Sequence, residues 1–185
     1  MKLDLFPVTV FIGNIDLKKI KLKSEITTAF LSNTPTSIDS KNELDPESAK
    51  YILNVIGNLM HEQYKHFKLD LLNIWRNKYR DNDFQEPHIH CNSKFSFIIY
   101  EKVDKVNTVF FNPAKYLIDA INADYVYRNF TPQLKTGQII IFPSYVSHGI
   151  CKQHSDLIRY SLAMNIVPIG KYGNGSDGLY DTSWY

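Results

Sequence analysis

Cysteine is scarce: Cys91 and Cys151 are the two in 185 residues. That is too few for a disulfide framework, and in a reducing compartment both are expected as free thiols. No apolar run approaches the roughly 20 residues that cross a bilayer. The opening "MKLDLFPVTVFIG" carries an aspartate and Pro7 where a secretory leader needs its apolar stretch. A soluble, cytoplasmic protein is the expectation. Charge of one sign is also lacking. The formal net charge is +2 with the signs interspersed, so the basic stripe of a nucleic-acid binder is missing. The most basic run, "KKIKLK" from Lys18 to Lys23, reads as the solvated edge of a helix. There is no internal repeat and no low-complexity segment.

Aromatic residues, by contrast, make up 14% of the chain, and Phe and Tyr suit strands and ligand-lined cavities. The length fits one domain with a sizeable core. "LFPVTVFIG" reads as an opening edge strand, and the rest of the first half reads as helical. The clearest helix is "ELDPESAKYILNVIGNLMHEQYKHF", capped by Asp45 with Pro46 at its first position. Ile52, Val55, Ile56, Leu59, Met60 and Tyr64 recur along it at helical spacing, an apolar stripe that predicts packing on a sheet. From Leu71 the pattern changes. "LLNIWRNKY", "FSFIIYEKV", "TVFFN", "DYVYRNF", "GQIIIFP", "SHGIC" and "IRYSLAMNIV" are short, β-branched and aromatic, and separated by Asn, Asp, Pro and Gly. With no helical crossovers between them, they predict a sandwich or barrel. The fold class is mostly β, α+β by content, with a jelly-roll core. The divisions are residues 1–70 (opening strand and supporting helices), 71–168 (β core) and 169–185, an irregular tail or flap.

Of six histidines, His61 and His66 fall on or just past the helix and His154 lies in the polar turn "KQHSD"; all three read as structural or solvent-facing. His88 and His90 are spaced differently. In an extended strand, residues two apart face the same side, so "HIH" sends both imidazoles one way and Ile89 the other. Such a pair alone is weak evidence for a metal. "LKTGQIIIFPSYVSHGI" adds a third ring: an apolar strand ends at Phe142, the chain turns at Pro143–Ser144, and His148 starts another strand. Two ligands from one strand and one from a distant strand make a facial metal triad with open positions. Eleven residues after His148 comes Arg159, sharing a face with Ser161 by the same parity. The guanidinium fork suits a carboxylate. Asp156 could pair with it structurally; the functional alternative is a small acidic cosubstrate. A Cys/His zinc site is disfavoured, because the cysteines lack zinc-ligand spacing and Cys91 has odd parity.

With these residues in place, the chain resembles the 2-oxoglutarate/Fe(II)-dependent oxygenases of bacteria and their phages, a branch of the double-stranded β-helix superfamily related to prolyl hydroxylases. The likeness runs through "IWRNKYRDNDFQEPHIHCNSKFSFIIYEKV", "LKTGQIIIFPSYVSHGI" and "IRYSLAMNIVP", with "LFPVTVF" similar to the family's start. It implies a double-stranded β-helix core with N-terminal helices packed on the major sheet. It also implies His88, His90 and His148 as Fe(II) ligands, and Arg159 with Ser161 on the distal carboxylate of 2-oxoglutarate. Tyr100 matches the position of a phenol on that same carboxylate. The implied activity is hydroxylation of a substrate the sequence does not identify, with 2-oxoglutarate and O2 as partners; a homo-oligomer is compatible.

One departure is that His90 stands where the superfamily usually has an aspartate, leaving bound Fe(II) one charge more positive. Asp83 or Glu86 could restore the carboxylate. Alternatively, His90 is the first ligand and Asn92 the second, with His88 behind them. Two rival readings stand beside the oxygenase. One is a cupin-like metalloenzyme, which usually places a glutamate about four residues past the pair, where this chain has Asn92 to Phe95. The other is a non-catalytic jelly-roll binding module.

Overall fold

The computed structural model describes residues 8–30, 34–64, 68–91, 93–103, 108–121, 127–152 and 154–169. The first elements are β1 (Phe11–Asn14), a 3-10 turn (Leu17–Lys19), β2 (Leu22–Lys23), β3 (Thr28–Phe30), β4 (Thr34–Thr36), β5 (Glu43–Leu44) and α1 (Pro46–Tyr64). Then follow β6 (Lys68–Tyr79), β7 (Gln85–His88), β8 (Phe95–Lys102), β9 (Thr108–Phe111) and α2 (Lys115–Ala120). The last are β10 (Asn129–Phe130), β11 (Gln138–Pro143), β12 (His148–Ile150) and β13 (Arg159–Ile169).

The antiparallel strands form two principal sheets. The larger has the order β1-β11-β8-β13-β6-β4-β3, the smaller β10-β9-β12-β7, and β2 with β5 makes a separate ribbon. This is the mostly β, jelly-roll architecture of the double-stranded β-helix. Both faces of the major sheet are covered, which explains why its strands read as continuous apolar runs. On one face, Phe97, Ile99, Ile139, Ile141, Leu162 and Met164 pack with Ile52, Ile56 and Met60 of α1. On the other, Ile98, Tyr100, Ile140 and Phe142 meet Phe110 and Val146. The two-residue alternation thus splits each central strand between helix and inter-sheet core.

The helix begins where expected. Asp45 Oδ2 accepts from the Ser48 backbone N–H and hydroxyl, both at 3.0 Å. The approach of α1 to the sheet edge is close: a Cβ at Gly13 would fall 2.7 Å from the Leu59 side chain.

Four expectations need correction. Among the described residues a single α-helix precedes the β core, not several, because "KKIKLK" folds as the 3-10 turn followed by β2 instead of a helix edge. Asp16 accepts from the Lys18 N–H and stops the turn from lengthening. A short helix, α2, lies between "TVFFN" and "DYVYRNF", where none was expected. "DYVYRNF" is a strand only at Asn129–Phe130, with residues 122–126 outside the described set. Finally, "QEPH" is a strand, β7, although Pro87 argues against a central one; it lies at the edge of the smaller sheet. Most of the tail, residues 170–185, lies outside the described residues, as do His66 and Asn92. Among the described residues no helix is long and apolar enough to cross a membrane.

Candidate metal centre and its cavity

His148 opens β12 directly opposite His88, which closes β7. The strands can come this close because Gly149 has no side chain: a Cβ there would fall 2.8 Å from the Gln85 carbonyl oxygen. The His88 and His148 ring centroids are 4.4 Å apart. His90 arrives differently. The strand ends at His88, so parity alone does not aim the second ring. The backbone N–H of His90 donates to Ser144 O at 3.0 Å, and Ser144 N–H donates to Lys94 O at 3.0 Å. The Ser144 hydroxyl bonds those of Ser93 (2.7 Å) and Ser96 (2.8 Å), and Ser96 bonds Asn165 Oδ1 at 2.8 Å. This buried cluster ties the His90 loop to the turn that precedes His148. On its other side, His90 stacks against Trp75, with centroids 5.7 Å apart and planes at 27°.

The three rings therefore converge, with one ligand atom from each within 4.8 Å of the others. His88 Nδ1 lies 2.8 Å from Glu86 O, and His148 Nδ1 lies 3.1 Å from Val146 O. A carbonyl only accepts, so each Nδ1 carries the proton and each Nε2 presents a lone pair. His90 Nε2 is 3.4 Å from His148 Nε2, the spacing of two nitrogens that each sit about 2.1 Å from one ion. Burial is the main cause that lowers all three imidazole pKa values. His88 is lowered, with the Glu86 hydrogen bond opposing. His90 is lowered to about 4, with His88 adding to burial. His148 is lowered to about 3, with His88 and His90 adding and the Val146 carbonyl opposing. Neutral imidazoles are the form a metal needs, and the donor set fits a divalent ion.

Neither carboxylate joins them. Asp83 pairs with Arg80 at 3.2 Å, and Glu86 is exposed. Among the described residues the metal-competent group is the three histidines. Cys91 and Cys151 are exposed and apart from it; His61 and His154 are exposed, with His154 beside Asp81 at 3.4 Å.

His88, His90 and His148 line one cavity. Arg159, Ser161 and Tyr100 line it as well. Arg159 is 2% exposed. Its Nη2 donates to Arg80 O at 3.1 Å, and its guanidinium lies 5.9 Å from the Tyr79 ring centre. Asp156, the structural partner weighed for it, is exposed. Tyr100 OH donates to Thr108 at 3.0 Å, and Ser161 is hydrogen-bonded with Tyr79. Burial raises both phenol pKa values, so both stay protonated donors. The β8–β13 ladder slips one residue between Tyr160 and Ser161, and Tyr100 lies opposite Ser161. Sequence reasoning missed Trp75, Asn77 and Tyr79, which also line the cavity. They alternate along β6, and the parity rule used for the histidines would have found them.

A jelly roll with convergent imidazoles and a buried cation in one cavity defines the class of mononuclear-metal β-barrel proteins. Comparison narrows it. A sequence profile for the family described as "Putative 2OG-Fe(II) oxygenase" matches residues 73–165, 93 of the 185. The chain belongs to this 2-oxoglutarate/Fe(II) oxygenase family. Solved structures agree in fold. A 2OG-Fe(II) oxygenase family oxidoreductase from Burkholderia pseudomallei has TM-score 0.52 at 14% identity, over 84% of this chain and 71% of that one. HygX from Streptomyces hygroscopicus, solved with nickel, 2-oxoglutarate and hygromycin B, has TM-score 0.52 at 9% identity, over 78% and 74%. A Pseudomonas putida prolyl-4-hydroxylase has TM-score 0.51 at 15% identity, over 80% and 79%. No curated protein matches by sequence.

Proposed function

We propose that His88, His90 and His148 hold the Fe(II) of this oxygenase, and that Arg159, Ser161 and Tyr100 hold the distal carboxylate of 2-oxoglutarate. The observation that carries the reading is the convergence of three imidazole nitrogens within 4.8 Å, in the cavity that Arg159 also lines. When bound, Fe(II) with 2-oxoglutarate and O2 supplies the oxidising chemistry: one oxygen atom goes into a substrate C–H bond, and the other accompanies loss of CO2 to give succinate. The chain's own residues do the rest. The Glu86 and Val146 carbonyls fix which nitrogens of His88 and His148 face inward. Arg159 fixes the cosubstrate's register by charge-assisted hydrogen bonds, which are strong where water is excluded. Ser161 and the phenol of Tyr100, whose one O–H would turn from Thr108 to the ligand, add donors at that end. The buried wall of Ile98 and Phe142 keeps water from the reacting end of the cavity.

Neutral ligands leave the ion its full double charge. This supports tight binding of the chelating carboxylate of 2-oxoglutarate in place of the missing protein carboxylate. Cytoplasmic placement and use of O2 accompany this reading. The deciding experiment is iron-dependent conversion of 2-oxoglutarate to succinate by purified protein, measured without added substrate. Succinate formation that needs Fe(II) and is lost in H148A is the expected result. Metal binding without any succinate would favour the cupin-like reading, and neither would favour a non-catalytic module.

A further inference from the structure

Buried polar atoms in folded proteins almost always have hydrogen-bond partners, because stranding one is destabilising. In this cavity wall Trp75 Nε1 and Asn77 Oδ1 do not. Their residues are 4% and 3% exposed. They lie two apart on β6, so they share a face, and both line the cavity. Nothing in their neighbourhood demands an orphaned donor. A phenylalanine would fill the Trp75 site against His90 equally well.

Position along the strands says which end of the cavity they serve. In the β6–β13 ladder, Tyr79 is opposite Arg159, Asn77 opposite Ser161, and Trp75 opposite Ala163. The Arg159 level and the Trp75 level are four residues apart, about 13 Å of strand. That distance suits a guanidinium side chain followed by a five-carbon diacid. Trp75 also stacks on His90, which puts it at the metal end.

We propose that Trp75 Nε1–H and the Asn77 amide form a second binding edge on β6 for 2-oxoglutarate: Trp75 receives its metal-proximal carboxylate at the end opposite Arg159, and Asn77 joins Ser161 at the distal one. The proposal rests on the cofactor site described under Proposed function. The chemistry matches. Every polar atom of 2-oxoglutarate at neutral pH is an acceptor, and an indole N–H is donor only. The Asn77 amide has no partner to hold Oδ1, so turning it to present Nδ2 forfeits no hydrogen bond. No aspartate or glutamate is among the described residues lining the cavity, so no carboxylate there opposes an incoming anion.

The test is anaerobic calorimetric titration of the Fe(II)-loaded protein with 2-oxoglutarate and with oxalate, which has a metal-chelating end and no distal arm. W75F removes the N–H and keeps the ring; N77A removes the amide. W75F should weaken both ligands, and N77A 2-oxoglutarate alone, by about 10-fold, the size of one hydrogen bond to a charged group. R159A should weaken 2-oxoglutarate alone. Metal-free W75F should melt no lower than the wild type, because a stranded donor has been removed. The proposal is overturned if oxalate binds W75F, or 2-oxoglutarate binds N77A, as tightly as the wild type. It is also overturned if W75F loses Fe(II) affinity as much as oxalate affinity, which would make Trp75 only a support for His90. A wild type that binds Fe(II) but neither anion would instead sink the cofactor-site reading itself, and this inference with it.

Discussion

His148 and His88 face each other across the antiparallel pairing of β12 and β7, their rings 4.4 Å apart and each Nδ1 held by a backbone carbonyl. Two strands far apart in sequence thus present two lone pairs to one point before any ion arrives. Replacing His148 by alanine should lower Fe(II) affinity at least 100-fold. Loss of an outer partner of a ligand already costs 10–100-fold, and here a ligand itself is lost. Calorimetry with Fe(II) under anaerobic conditions measures it, and a loss below 10-fold would remove His148 from the site.

Gly149 permits that pairing. G149A would drive a methyl into the Gln85 carbonyl, 2.8 Å from the ideal Cβ, and the neighbour is backbone, which cannot swing aside. The expected result is destabilisation of about 1–3 kcal/mol together with weakened metal binding, read by urea unfolding and metal titration. A variant with wild-type stability and affinity would mean that β7 moves freely.

Ser144 is the hub that places His90. S144A leaves the backbone bonds intact and strands the Ser93 and Ser96 hydroxyls on one side. Stability should fall by about 1–2 kcal/mol and Fe(II) affinity by about 10-fold. Threonine at the same position should recover part of the affinity. Loss of stability with unchanged metal binding would show the cluster to be structural only.

Arg159 is expected to act on the cosubstrate and not on the metal. R159A should weaken 2-oxoglutarate binding by about 100-fold, as loss of charge-assisted bonds in a buried site implies, with Fe(II) affinity within a few-fold of wild type. Equal loss of both, or of neither, would contradict its placement.

The imidazoles also predict how the metal-free protein responds to acid. Their folded pKa values lie below the ordinary 6.5, at about 4 for His90 and about 3 for His148. Between those values and 6.5 the unfolded chain binds protons that the folded chain refuses. Stability therefore rises with pH across that window: it is fully present above pH 6.5 and declines as pH falls through it. The urea midpoint of the metal-free wild type should drop from pH 6.5 downward, and that of H148Q should drop less steeply. Identical slopes would mean that His148 titrates normally.

Local patterning was legible in the chain. The Asp45 cap and the stripe of Ile52, Ile56 and Met60 follow from helical period and end chemistry, and they appear where those rules put them. Most β-core strands were readable from short β-branched runs, and the shared face of Arg159 and Ser161 from two-residue alternation. Short-range rules failed where a few residues could adopt more than one local structure. "KKIKLK" became a turn and a strand, and "QEPH" became an edge strand despite its proline.

The sequence by itself determined which residue types were available and which neighbours share a face, because those depend on contacts within a few residues. Only the tertiary structure decided that His90, after its strand has ended, swings to meet His88 and His148. It is held there by Ser144 from the β11–β12 turn and Trp75 from β6, partners that no local period connects. The same long-range pairing brought Trp75 and Asn77 beside Ser161 and left their polar atoms waiting on the cavity wall, since desolvation depends on everything packed around an atom and not on the residues next to it in the chain.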